Sequence, residues 1–245
     1  MPRYRATISY DGTNYAGWQI QQNGHGVQQS INDVLHSLTT KAVSTYGSGR
    51  TDQGVHARGQ VIHFDLVNAW KDADLRRAMN ASLEQDVRVM NVRRTRADFD
   101  ARRDAISKEY RYFIWNDEVM PPDRRYFRTH LRHRLDVDAM QVAALHLVGR
   151  LDFSAFTANS RRELETHVRN LMRLDVRRRG HEVEIRAVGE GFLYKMVRSI
   201  VGYLVRVGEG AVTPDSIREV QQALVRRPDV PTAPPQGLFL WKVSY

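Results

Sequence analysis

The sequence predicts an α+β fold of two similar sandwich halves. Their mainly antiparallel sheets are expected to join into one large central sheet, with helices packed on one side and a cleft between the halves. Three observations carry this prediction: alternating apolar segments are interleaved with segments of helical period, the connections read as hairpins more than crossovers, and the second half repeats the rhythm of the first. The division is expected at 1–105 and 106–245.

Tyr4, Ala6, Ile8 and Tyr10 alternate with Arg5, Thr7 and Ser9, the period of a half-buried strand. A loop follows at Asp11-Gly12-Thr13-Asn14. Val27, Ile31, Val34, Leu35 and Leu38 recur at helical spacing, and a Thr-Thr-Lys break leads into a β-rich stretch, Val43 to Tyr46. Gly59 to Leu66 then reads as a strand, Asp72 to Leu83 as a helix and Val87 to Val92 as a strand. In the second half, strands are expected at Tyr110 to Trp115, His167 to Val176, Glu182 to Val188 and Leu238 to Tyr245. Helices are expected at Val137 to Leu147, Phe192 to Val207 and Pro214 to Leu224. Pro121-Pro122 and the stretch from Pro228 to Pro235 mark loops.

With 245 residues, 42% of them hydrophobic, the chain can bury a substantial core, which argues against disorder. No apolar run approaches the length of a membrane span, and MPRYRATISYDG has no signal-like apolar region, so a cytoplasmic protein without membrane contact is expected. Cysteine is absent, which excludes disulfides, thiolate metal sites and a cysteine nucleophile.

The net charge is +9, and 32 of the 37 basic residues are arginine, since only five are lysine. Guanidinium groups fork onto phosphate oxygens and stack on bases, so nucleic acid is the favoured partner. Coding bias alone would also enrich arginine. Both halves are basic, with 14 basic against 11 acidic residues up to residue 105 and 23 against 17 beyond it. A polyanion is therefore expected to touch both.

The densest cluster of chemistry-bearing residues is GSGRTDQGVHA, Gly47 to Ala57, between two predicted strands. Gly47, Gly49 and Gly54 permit a sharp turn, and Arg50 and Asp52 flank its tip. A neighbouring cation favours the ionised carboxylate, which can act as a nucleophile. A phosphate loop would require a terminal Lys-Ser or Lys-Thr and a following helix, both missing here. Within this window alone, an exposed Arg-x-Asp ion pair on a turn is the commoner arrangement. His56 and His63 share no helical face and lack a third ligand, so they read as core or surface histidines; no metal site is expected.

Further blocks shift the balance. YDGTNYAGWQIQ (Tyr10 to Gln21), GRTDQGVHA (Gly49 to Ala57), FDAR (Phe99 to Arg102), KEYRY (Lys108 to Tyr112), FLYKMVRSIVG (Phe192 to Gly202) and the C-terminal TAPPQGLFLWKVSY follow one another along nearly the whole chain. Together they resemble the TruA type of tRNA pseudouridine synthase. The chain departs from that pattern at Gln85, where a proline is usual, and at Leu151, where a histidine is usual. Both positions lie outside the catalytic blocks and bear on local loop shape.

The resemblance implies isomerisation of uridine to pseudouridine at positions 38, 39 and 40 of the tRNA anticodon stem-loop, with no cofactor. It implies that Asp52 is the catalytic aspartate, that Arg50 assists base flipping, and that Tyr110 stacks on the flipped uracil. Arg198 is implied to pair with the aspartate. Lys195 reads equally as a substrate phosphate contact and as a solvated lysine. Arg58, Arg161 and Arg162 are phosphate-contact candidates on composition, each with solvated surface charge as its alternative. A homodimer whose two subunits contact one tRNA is also implied. The rival functions are a catalytically silent tRNA-binding module, in which a carboxylate beside the RNA groove would only repel phosphate, and a nucleotide-dependent ligase or kinase, which would need a phosphate loop.

Overall fold

A computed structural model describes residues 1–158 and 166–245. Two compact units comprise Met1–Ile106 with Phe239–Tyr245, and Ser107–Leu238. The fold is mixed α+β with mainly antiparallel sheets, in agreement with the sequence.

In the first unit β1 (Arg3–Tyr10) leads to α1 (Val27–Thr39), β2 (Tyr46–Gly47), β3 (His56–Asp65), α2 (Asp72–Ser82) and β4 (Val87–Arg94). β1 lies between β3 and β4 and is antiparallel to both. Its alternation is realised: Tyr4, Ala6, Ile8 and Tyr10 are buried, while Arg5, Thr7 and Ser9 are half-buried. α1 buries Val27, Ile31, Val34 and Leu35, and ends where the N–H of Thr40, at φ +55°, closes on the His36 carbonyl. α2 buries Leu75 and Met79 and packs on β4 and α1.

The expected strand at Val43 to Tyr46 shrinks to the two residues of β2. The side chains of α1 occupy the intervening backbone instead: Asn32 Oδ1 accepts the Thr45 N–H at 3.1 Å, and Gln28 Nε2 donates to the Thr45 carbonyl at 2.7 Å. A residue satisfied this way has no ladder bonds left to offer.

The second unit contains β5 (Ser107–Asn116), β6 (Thr129–Leu131), α3 (Val137–Leu145), β7 (Gly149–Asp152), β8 (Val168–Arg179), β9 (Glu182–Gly189), α4 (Met196–Gly208) and α5 (Ser216–Gln222). Its antiparallel order is β5-β9-β8-β7, with short β6 running parallel to β5. α3 starts at an aspartate cap, Asp136, whose Oδ1 accepts the Ala139 N–H at 2.9 Å, and packs on β8 and α4.

α4 begins four residues later than predicted. Lys195 sits at φ +56°, and the Met196 N–H closes a turn on the Leu193 carbonyl, so Phe192 to Lys195 approach the helix from a different direction. Phe192, four residues before Met196 and eight before Ile200, fits helical spacing without belonging to the helix.

The last strand, β10 (Leu238–Ser244), was expected within the 106–245 half. It instead pairs in parallel with β3, Phe239 opposite His56 and Leu240 opposite Ala57, and residues 239–245 group with the first unit. Gly59 permits this approach, because a Cβ there would lie 2.5 Å from the Trp241 carbonyl oxygen.

Candidate active site

The segment from Gly47 to Ala57 is held by hydrogen bonds at Ser48, Gly49, Thr51 and Val55. Ser48 is buried; its N–H donates to the Val61 carbonyl at 2.8 Å and its hydroxyl to Gln60 Oε1 at 2.7 Å. Gln60 Nε2 in turn donates to the Gly49 carbonyl at 2.8 Å. Thr51 is buried next: its carbonyl accepts the Trp18 N–H at 3.1 Å, and its Oγ1 lies 2.8 Å from the Tyr10 hydroxyl. A turn follows, in which the Val55 N–H donates to the Asp52 carbonyl at 3.1 Å. Of Gly47, Gly49 and Gly54, only Gly54 takes a positive φ, +74°. Asp52 is thus a half-buried carboxylate opening a turn fixed on both flanks, while Arg50 is exposed.

The loop between β1 and α1 clasps this segment. A Cβ on Gly12 would lie 2.0 Å from the Val55 carbonyl oxygen, and one on Gly17, at φ +106°, 2.7 Å from the Thr51 carbonyl oxygen. Neither glycine can carry a side chain without displacing backbone of the loop that holds Asp52. The Gly12 N–H donates to His56 Nδ1 at 3.0 Å, which makes that nitrogen an acceptor. Asp11 Oδ1 approaches the same nitrogen at 3.1 Å and accepts the Thr13 N–H and hydroxyl. His63 Nδ1 likewise accepts the Ala101 N–H at 3.0 Å, and burial holds this imidazole below its ordinary pKa. Both histidines are buried structural acceptors.

Arg58 is exposed, with its guanidinium 4.8 Å from the Trp241 ring centroid. In the second unit, Tyr110 lies on β5 opposite Ala187, buried and edge-on to Phe192 at 5.1 Å. Arg198 is buried on the first turn of α4, where its Nε donates to the Ala233 carbonyl at 2.8 Å and its own carbonyl accepts the Ala233 N–H at 3.0 Å. Lys195 is half-buried at the start of the same helix, its Nζ 4.9 Å from the Tyr194 ring centroid. Arg161 and Arg162 lie outside the described residues.

A family model described as tRNA pseudouridine synthase matches residues 6–102 and 143–245. The chain belongs to the tRNA pseudouridine synthase family. Its members are isomerases, so this chain is an enzyme and not a silent binding module. It is 43% identical over 251 residues to tRNA pseudouridine synthase A of Rhizobium meliloti (strain 1021), and 43% identical over 245 residues to tRNA pseudouridine synthase A of Brevibacillus brevis; each alignment covers 100% of both chains. Among solved structures, a Cbf5-Nop10-Gar1 complex aligns with 83% of this chain and 54% of that one at 14% identity and a TM-score of 0.34, too slight a likeness to support an argument.

Within this synthase, sequence reasoning passed over the residues that hold the Asp52 loop: Tyr10, Gly12, Gly17, Trp18 and Gln60. The first four lie in the block Tyr10 to Gln21, which the resemblance marked without giving it a physical task. Two glycines five residues apart beside buried aromatic residues were the available signal of a close backbone approach. No helix among the described residues is long and apolar enough to cross a membrane.

Proposed function

We propose that this synthase isomerises uridine at positions 38, 39 and 40 of the tRNA anticodon stem-loop, with Asp52 as its catalytic nucleophile and no cofactor. The observation that carries this reading is the half-buried Asp52 carboxylate at the head of a turn whose flanking backbone is hydrogen-bonded on both sides. Catalysis gains from a charged group held before substrate arrives, because little reorganisation remains to be done.

The bond between uracil N1 and ribose C1′ breaks, the base rotates, and C1′ rejoins at C5. The C5 proton is lost and N1 gains one, so no atom is added or removed overall. Breaking a bond at an anomeric carbon builds positive charge on the sugar, which a fixed carboxylate stabilises or traps, as in glycosidases. A uridine stacked in a stem must first be extruded. On the family resemblance we assign Arg50 to assist that extrusion, Tyr110 to stack on the extruded uracil, and Arg198 to orient the aspartate through a charge-assisted pair. Lys195, Arg58, Arg161 and Arg162 are assigned to the RNA phosphates, and the working enzyme is a cytoplasmic homodimer.

Nucleotide-resolution mapping of pseudouridine tests this reading, using tRNA from cells lacking the protein and tRNA treated with the purified enzyme in EDTA without nucleotide. The expected outcome is loss at positions 38 to 40 in the cells and restoration there by the enzyme. Unchanged modification at those positions in the deficient cells contradicts it.

A further inference from the structure

The groove between α2 and β4 is lined with arginine. Two adjoining depressions share Arg76: one is also lined by Asp72 and Arg93, the other by Arg77, Asn80 and Arg88. Four arginines thus face one aspartate. Arg77 is paired with Asp74, and Arg88 Nη1 donates to the carbonyls of Leu83, Glu84 and Val87, between the end of α2 and the start of β4. Arg76 and Arg93 are exposed, and among the described residues their side chains make no hydrogen bond or ion pair. Arg76 and Arg93 thus share their depression with one carboxylate, Asp72, without pairing directly with it, beside two arginines that are already oriented.

β4 pairs only with β1 within the first unit, and its register slips between Thr7 and Ile8, where Met90 has no partner. Such a bulge bends the strand and interrupts its hydrogen-bonding edge, disfavouring the addition of another strand. From Arg88 to Arg93 the strand rises about 17 Å, at roughly 3.3 Å per residue. That length accommodates consecutive phosphates of a nucleic-acid backbone and far exceeds a single small anion.

We propose that the α2–β4 groove is a second RNA-backbone site of this synthase, in which Arg76 and Arg93 neutralise phosphates of the bound tRNA. The site lies at the edge of a sheet whose Asp52 loop enters through β3, two strands away. This inference rests on the tRNA-modifying reading above. Phosphate contacts of this kind add affinity and register without reading sequence.

The test compares wild type with the Arg76→Gln/Arg93→Gln and Arg76→Lys/Arg93→Lys double variants, using full-length tRNA at several salt concentrations. The glutamine variant should raise Kd and KM about tenfold near 0.15 M salt, and lower the slope of log K against log salt by roughly 1.8, about 0.9 per phosphate on a duplex. Its kcat at saturating tRNA should stay within about twofold, and the lysine variant should restore the slope by retaining charge. Both substitutions are on the surface, so far-UV circular dichroism and the unfolding midpoint should match wild type. If wild type binds and modifies tRNA while the glutamine variant keeps its affinity and slope, the groove serves something else, such as an acidic protein, and the proposal is overturned alone. If wild type binds no tRNA, the functional reading fails and the groove assignment falls with it.

Discussion

The Tyr10 hydroxyl lies 2.8 Å from Thr51 Oγ1, both residues buried, so the last residue of β1 is tied to the residue before Asp52. Burial pushes the Tyr10 phenol well above its usual range, against the opposing hydrogen bond from Thr51, and it stays neutral at any working pH. Removing the hydroxyl in Tyr10→Phe leaves Thr51 unsatisfied at a cost of about 1–2 kcal/mol. Urea unfolding should register that loss, and the single-turnover rate should fall more than tRNA affinity does. Equal losses in rate and affinity would mean that the contact serves the fold and not the position of Asp52.

Gly12→Ala would place a methyl group 2.0 Å from the Val55 carbonyl oxygen. The obstacle is backbone, which cannot rotate away as a side chain does, so we expect a cost of about 1–3 kcal/mol. Turnover should drop at least tenfold while the far-UV spectrum is kept. A variant with wild-type kcat and stability would show that the two loops are not pressed together.

Glu109 lies on β5 with Arg186 Nη2 at 2.6 Å and Arg111 Nε at 2.7 Å. Burial tends to raise this carboxyl, but the hydrogen bonds from Arg186 and Arg111 outweigh it and hold the pKa below the ordinary glutamate range. A depressed folded-state pKa contributes stability that is complete above the unfolded value, near 4.5, and is lost as pH falls through the lower folded value. Glu109→Gln should therefore cost about 1–3 kcal/mol at pH 7, with both arginines partly exposed. The difference from wild type should shrink in denaturation curves taken below pH 4.5. A gap that stays constant into acid would locate the effect in packing and not in charge.

Arg198 Nε donates to the Ala233 carbonyl at 2.8 Å, and on the proposed reading the same guanidinium orients Asp52. Lysine cannot do both tasks, so Arg198→Lys should lower kcat by about 10² with a smaller change in KM. A kcat within threefold of wild type would remove Arg198 from the proposed machinery.

Much of the fold was legible because periodicity reports which face is buried: β1, α1, α2 and β9 emerge near their predicted limits. The misses have specific causes. Thr45 is satisfied by Asn32 and Gln28 from a helix that no local window includes. Phe192 mimics helical spacing ahead of a left-handed Lys195. The pairing of β10 with β3 joins residues nearly two hundred positions apart, beyond any short-range signal. The site divides in the same way. Asp52 could be singled out from a motif, whereas Tyr10, Gly12 and Gly17 became meaningful only once the loop they clasp was folded against them.

The most direct measurement compares wild type with Asp52→Asn in a single-turnover assay on tRNA, alongside a binding assay on the same preparations. The amide keeps the shape of the side chain and removes its charge and nucleophilicity. Unchanged tRNA affinity with no detectable pseudouridine at positions 38 to 40 is the predicted result. Product formation at the wild-type rate by Asp52→Asn would contradict it.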